Sequence, residues 1–155
     1  MKESHSIPGL RRAGAEDAGP VTSLVRTAYG KYVARIGREP KPMTVDYSHR
    51  IAAHQFWLVE EKGAIIAVLE LIPEPDHLLV ENIAVDPSRQ SSGLGRMLMA
   101  FAEEETRRQA YRELRLYTND HFTENIALYE RIGFRETHRE PYKGSQTVYM
   151  SKPVR

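Results

Sequence analysis

Val80-Glu81-Asn82-Ile83-Ala84-Val85-Asp86-Pro87-Ser88-Arg89-Gln90-Ser91-Ser92-Gly93-Leu94-Gly95-Arg96 is the stretch on which the reading of this chain turns. Its first six residues are rich in β-branched and apolar side chains and read as the end of a strand. Asp86-Pro87 stops the strand, and a glycine-bearing loop follows. From Leu94 onward the apolar spacing becomes helical, with Leu94, Met97, Leu98 and Phe101 predicted as the buried stripe of a helix over about 94–110. A strand, a loop with two glycines and a helix start together make an anion site. The free N–H groups of the first turn converge there, and the helix dipole adds partial positive charge. Gly93 and Gly95 remove the Cβ that would keep a diphosphate away, and Ser91, Ser92 and Arg96 are placed to add hydroxyl and guanidinium contacts.

Working outward, Gln55–Glu61, Ala64–Ile72 and His77–Val85 read as three strands joined by Lys62-Gly63 and by Pro73-Glu74-Pro75-Asp76, an antiparallel meander. Beyond the helix, Glu113–Thr118 reads as a strand. Strand, long helix, strand implies a parallel crossover between His77–Val85 and Glu113–Thr118. A helix over about 123–132, closed by Gly133, and strands near 134–139 and 147–152 complete the C-terminal part. Before the meander come a short strand at 7–12 and an amphipathic helix. That helix is expected to carry Glu16 and Asp17 in its first turn and to bury Ala18, Val21, Leu24, Val25 and Ala28. A loop over 30–43 and a short helix at 44–53 lead into the strands. On the long helix, Glu103–Arg107 and Glu104–Arg108 are spaced as exposed ion pairs. The expectation is one domain, 1–155, built on a mixed α/β sheet of about seven strands.

The loop is not a nucleotide loop of the common kinds. It lacks the Gly-Lys-Ser/Thr ending of a P-loop. It also lacks three spaced glycines, and meander strands rather than a βαβ unit precede it. Gln90 to Gly95 does fit Gln/Arg-x-x-Gly-x-Gly/Ala. Downstream, Asn125-Ile126-Ala127-Leu128-Tyr129-Glu130-Arg131-Ile132-Gly133-Phe134 resembles Asn-x-x-Ala-x-x-Leu/Phe-Tyr-x-x-x-Gly-Phe, with the spacing matched over Leu128-Tyr129-x-x-x-Gly133-Phe134. Asn125 and Tyr129, four apart, share one helical face. In order and on the expected elements, the two motifs resemble those of the GNAT acetyltransferases. The resemblance follows the whole chain in layout, and its specific residues lie between about 78 and 134.

The resemblance implies the acyl-CoA N-acyltransferase (GNAT) fold, a mixed, mostly antiparallel sheet of six or seven strands flanked by helices. It also implies acetyl-CoA as acyl donor and a primary amine as acceptor. The backbone of Gln90, Ser91, Ser92, Gly93, Leu94, Gly95 and Arg96 would hold the diphosphate. Backbone groups of Ile83 and Val85 would pair with the pantetheine arm in a gap between splayed strands. Asn125 would bond the arm, and Asn119 would do likewise or simply cap its loop. Tyr129 is the candidate acid for the departing thiolate. Glu81 is the candidate base, on the argument that it shares strand parity with Ile83 and Val85; a structural carboxylate is the other reading. The loop carrying Lys31, Arg35, Arg38 and Lys41 borders the acceptor pocket in related folds or else is a solvated basic loop, and Tyr29 and Tyr32 either line that pocket or close the core. The acceptor is read as a small or amino-acid-like amine. A protein lysine or N-terminus, and a non-catalytic acyl-CoA sensor, are the alternatives, and a homodimer is an assembly common in the family.

Composition narrows the classes further. Twenty-two basic against twenty-one acidic residues leave a formal charge of +1, which gives no field to attract nucleic acid or a membrane. The chain has no cysteine, so thiolate metal sites, disulfides and a cysteine nucleophile are excluded. His5, His49, His54, His77, His121 and His138 show no metal-ligand spacing, and His121 is either a proton-transfer group or an exposed loop residue. Met1–Arg12 is polar and basic without an apolar run, and no stretch approaches the ~20 apolar residues of a membrane span. A cytoplasmic protein is expected.

Overall fold

The computed structural model describes residues 7–155, so His5 and the first half of the polar N-terminal stretch lie outside it. Seven strands form one sheet in the order β1-β2-β3-β4-β5-β7-β6. They are β1 (Leu10–Arg12), β2 (Gln55–Glu61), β3 (Ala64–Pro73), β4 (Leu78–Val85), β5 (Glu113–Asn119), β6 (Arg135–Tyr142) and β7 (Ser145–Pro153). All neighbours are antiparallel except β4 and β5. The helices are α1 (Ala18–Tyr29), α2 (Val33–Ile36), α3 (Tyr47–Ala53), α4 (Leu94–Arg108) and α5 (Thr123–Arg131). Among the described residues no helix is long and apolar enough to cross a membrane.

Alternation along the strands divides the core between two faces. On one, Val21, Leu24, Val25 and Ala28 of α1 and Tyr47 and Ile51 of α3 pack on Phe56, Leu58, Val68 and Ala84. Each large apolar side chain fully buried here stabilises the fold by about 1.5–3 kcal/mol before chain entropy is counted. On the other face Leu94, Leu98, Met99, Phe101 and Ala102 of α4 and Tyr129 of α5 cover Leu69, Leu71, Leu78, Val80, Leu114 and Leu116. The predicted stripe of α4 needs one correction: Met97 is 41% exposed, and Met99 and Ala102 take its place inside. The buried face is centred on Leu98 and Ala102, which leaves Met97 on its flank.

Other local expectations also change. Glu16 and Asp17 lie in a 3-10 turn before α1 rather than in its first turn. Asp17 accepts from Gly14 N and from Arg11, at 3.0 Å from both Nη1 and Nη2, and this pairing pulls it out of the helix. Arg107 does reach Glu103, at 3.7 Å, but Arg108 pairs with Glu105 instead of Glu104. Residues 30–43 are not wholly irregular, since α2 and two 3-10 turns break them up. The C-terminal strands run further than the apolar pattern suggests. Lys143 and Gly144, both at positive φ, make the same two-residue hairpin turn as Lys62 and Gly63, so pairing persists up to the turn. β6 is exposed along its whole length, which is why its sequence carries little apolar signal.

Candidate active site

The site begins with a fault in β4. Glu70 of β3 pairs with Asn82 and Leu71 with Val80, so Glu81 is an extra residue with no partner. Such a bulge bends the strand and sharpens its twist. β4 meets β5 only at Leu78–Leu114, Leu79–Arg115 and Val80–Leu116, while β5 runs on beside β7 to Asn119. From Glu81 onward the two strands part.

The bulge also corrects the expected parity of Glu81. Ile83 and Val85 pack with the α4 cluster, as do Leu78 and Val80. Glu81 instead faces the other side with Asn82, because the extra residue resets the alternation. Tyr117 Oη donates to both carboxylate oxygens of Glu81 at 2.8 Å, and Arg50 Nη1 stands at 3.3 Å. Lys41 Nζ is 3.9 Å away. Behind them the fully buried Glu70 binds Arg50 at 2.9 Å and His54 Nδ1 at 2.6 Å. Burial and the Glu81 charge push the Tyr117 phenol up, so it stays a donor to Glu81 at neutral pH.

The carbonyls of Ile83 and Val85 face the gap. Tyr29 Oη donates to Ile83 O at 3.1 Å, and Gln90 Nε2 donates to Val85 O at 3.1 Å. In an antiparallel strand a residue's N–H and C=O point the same way, so both amides also turn from β3 toward the gap. An extended ligand laid there meets a strand edge with donors and acceptors available.

Two cavities open on this gap. The smaller, about 210 Å³, runs past Val85, Gln90, Gly95, Met99, Glu124 and Leu128. The larger, about 380 Å³, is walled by Arg38, Lys41, Tyr47, Arg50, Glu81 and Tyr117, among others. Tyr29, Ile83, Asn125 and Tyr129 belong to both. Tyr129 is 7% exposed, and burial pushes its phenol well above the ordinary value. Its hydroxyl has no hydrogen-bond partner among the described residues, in contrast to Tyr29 and Tyr117.

The glycine loop lies at the end of the smaller cavity. Gly93, at φ 86°, turns the chain into α4 in a conformation that a side chain would strain. Gly95 lines the cavity, and a Cβ there would meet only Val85, at 3.9 Å. The N–H groups of Gly95 and Arg96, in the first turn, have no carbonyl within the helix to pair with. Ser91, Ser92, Gly93 and Arg96 are exposed beside the cavity, whereas the Leu94 side chain turns into the core, leaving only its backbone at the loop. Ser92 Oγ already bonds Arg89 O at 2.6 Å, and Gln90 accepts from Lys31 Nζ at 3.2 Å. Open strand-edge groups at Ile83 and Val85 and free first-turn N–H groups at Gly95 and Arg96 are what an extended ligand ending in a diphosphate requires.

The remaining candidates separate. Asn119 lines the larger cavity, but its Oδ1 also accepts from His121 N at 2.8 Å, a loop cap. His121 is exposed and lines neither cavity. Arg35 binds Glu124 through two contacts, 2.8 and 3.0 Å. Tyr32 stacks on Phe122 at 3.9 Å. Sequence reasoning missed Tyr117, Arg50, Tyr47 and Asn82 altogether. Glu70, a lone charge within Ala64–Pro73, is the one signal that could have led to them, since a carboxylate in an apolar strand needs buried partners.

Comparison with known proteins agrees with this geometry. A family model described as the acetyltransferase (GNAT) family matches residues 22–134. S-(2-succino)cysteine N-acetyltransferase of Bacillus subtilis is 30% identical over 96% of this chain and 97% of its own. The uncharacterized N-acetyltransferase YjgM of Escherichia coli is 25% identical over 82% and 81%. Among solved structures, the PaiA N-acetyltransferase of Thermoplasma acidophilum in complex with coenzyme A superposes with a TM-score of 0.78 at 16% identity, covering 94% of this chain and 98% of that one. The chain belongs to the acetyltransferase (GNAT) family and is an acetyl-CoA-dependent acyltransferase.

Proposed function

We propose that residues 1–155 form a single cytoplasmic domain that transfers the acetyl group of acetyl-CoA to the primary amine of a small acceptor by direct attack. The observation that carries this reading is the shared wall: two cavities, one leading from the glycine loop and one lined by Glu81, meet at Ile83, Asn125 and Tyr129. The first cavity takes the pantetheine arm and the second the amine. Asn125 bonds the arm where the cavities join. Tyr29 gives up the Ile83 carbonyl to it.

The chemistry follows from what each group can hold. An alkyl amine with a pKa near 10 is mostly protonated at neutral pH and must lose a proton to attack. Glu81, oriented by Tyr117 and Arg50, takes that proton directly or through one water. The nitrogen lone pair forms the C–N bond, and the thioester oxygen gains charge facing a backbone N–H of Ile83 or Val85. A donor so aimed is worth roughly 3 kcal/mol. As the C–S bond breaks, Tyr129 gives its proton to the sulfur, and the second proton that the nitrogen sheds on becoming an amide restores the phenol. Burial makes the phenol a weaker acid, but it makes the departing thiolate a stronger base in the same surroundings, so the transfer stays matched.

A small acceptor is favoured over a protein chain because Pro40, Pro42 and Tyr142 wall the larger cavity around Glu81. The test is release of CoA thiol from acetyl-CoA with a panel of small amines and lysine peptides. Turnover with small amines is expected. Turnover with peptides alone would overturn the small-acceptor reading, and binding of acetyl-CoA with no turnover of any amine would leave a sensor.

A further inference from the structure

The larger cavity is charged unevenly. Three cations line it, Arg38, Lys41 and Arg50, against one carboxylate, Glu81. Two of the three are accounted for. Arg50 binds the buried Glu70 at 2.9 Å, and Lys41 stands 3.9 Å from Glu81. Arg38 has no acidic partner among the described residues. Its Nε is buried without an acceptor, and Nη1 has only the Glu39 carbonyl at 3.5 Å. By contrast, Arg26 and Arg35 on the same side of the fold are paired with Glu39 and Glu124.

A guanidinium left with unused donors in a cavity wall is an incomplete site. The cost of burying such a group is recovered only when an acceptor arrives, and a carboxylate matches its fork best. Arg38 is also held in place, with its charge 5.2 Å over the ring of Tyr142 at the end of β6. Tyr142 lines the same cavity. Arg38 itself lies in the bend after α2, and the Tyr142 ring at the end of β6 backs its fork.

We infer that the acceptor amine carries a carboxylate, and that Arg38 is the residue that selects it by gripping that group while the amine lies toward Glu81. The inference rests on the amine-acetyltransferase reading and adds the substrate class and the selecting residue.

The test uses matched pairs: L-methionine against 3-(methylthio)propylamine, and 4-aminobutyrate against butylamine. Thiol release from acetyl-CoA gives kcat/KM for each. The carboxylated member of at least one pair should be preferred roughly tenfold or more, through KM, as expected for one charge-assisted hydrogen-bonded contact. Arg38→Gln should shrink that ratio at least tenfold, and Arg38→Lys should restore part of it. Amines without a carboxylate turned over as well as or better than their partners would overturn this inference and leave the acetyltransferase reading standing. A ratio that Arg38→Gln leaves in place, with acetyl-CoA binding intact by calorimetry, would remove Arg38 as the selector. No thiol release from any of the four amines would sink the amine reading and this inference with it.

Discussion

The two cavities that meet at Tyr129 are built by different means. One wall of the smaller one is local, running from the strand edge at Ile83 and Val85 past a left-handed glycine to the open first turn of α4, and side chains of α1 and α5 close it from the other side. The larger one is made of side chains gathered from distant parts of the chain, Arg38, Arg50, Glu81, Tyr117 and Tyr142. A donor common to many reactions needs only the first kind of site. An acceptor particular to one reaction needs the second. The contrast teaches that the loop-and-strand wall of one cavity is legible in a contiguous stretch of sequence, whereas the other is assembled almost wholly by tertiary contacts.

If the shared wall is where the halves join, removing its acid should cost most. Tyr129→Phe is expected to lower kcat by about 10²–10³ while acetyl-CoA affinity, measured by calorimetry, stays within about twofold. Equal loss of both would make Tyr129 a wall residue only. Glu81→Gln tests the acceptor side alone. It should lower kcat/KM about 10²-fold, with part of the loss returning at higher pH, where more of the amine is already neutral. A pH-independent loss would argue for a structural carboxylate. Gly95→Val tests the donor side alone. Its Cβ would make only an ordinary contact with Val85, at 3.9 Å, so the fold should persist, but acetyl-CoA affinity should weaken about tenfold as the diphosphate is pushed off the first turn.

The smallest effect belongs to the outer tie between the acceptor side and α5. Arg35 holds the Glu124 carboxyl down at about 2, against an ordinary 4.5. A lowered folded value means the pair stabilises fully above the ordinary value and is lost as pH falls toward about 2. Both side chains are well exposed, 39% and 46%, so the contribution is slight. Between pH 5 and 2, wild type should lose only roughly two degrees more in Tm than Glu124→Gln.

The same division explains what could be read in advance. The meander, the crossover and the glycine loop follow from residues within a few positions of one another, and their boundaries are close to the observed ones. Asn125 and Tyr129 are legible only through the resemblance of residues 125–134 to the family's second motif; their four-residue spacing adds that they share one helical face. The parity argument that picks out Glu81 fails. Strict alternation places it beside Ile83, whereas the bulge turns it to the Tyr117 side, and no local residue pattern marks where a strand will accept an extra residue. Tyr117, Arg50 and Tyr142 lie in different elements from Glu81, so only the folded sheet brings them together. Met97 fails because helical spacing leaves either flank of the stripe open to burial, and packing on the sheet covers Met99 and Ala102 instead.

Residue-resolved amide hydrogen exchange with and without acetyl-CoA tests the central claim most directly. The N–H groups of Ile83, Val85, Gly95 and Arg96 should slow together on binding, while Leu79, already alongside β5, should not change. Binding of acetyl-CoA that left Ile83 and Val85 exchanging as before would contradict the account, because the arm would then lie somewhere other than the gap between β4 and β5.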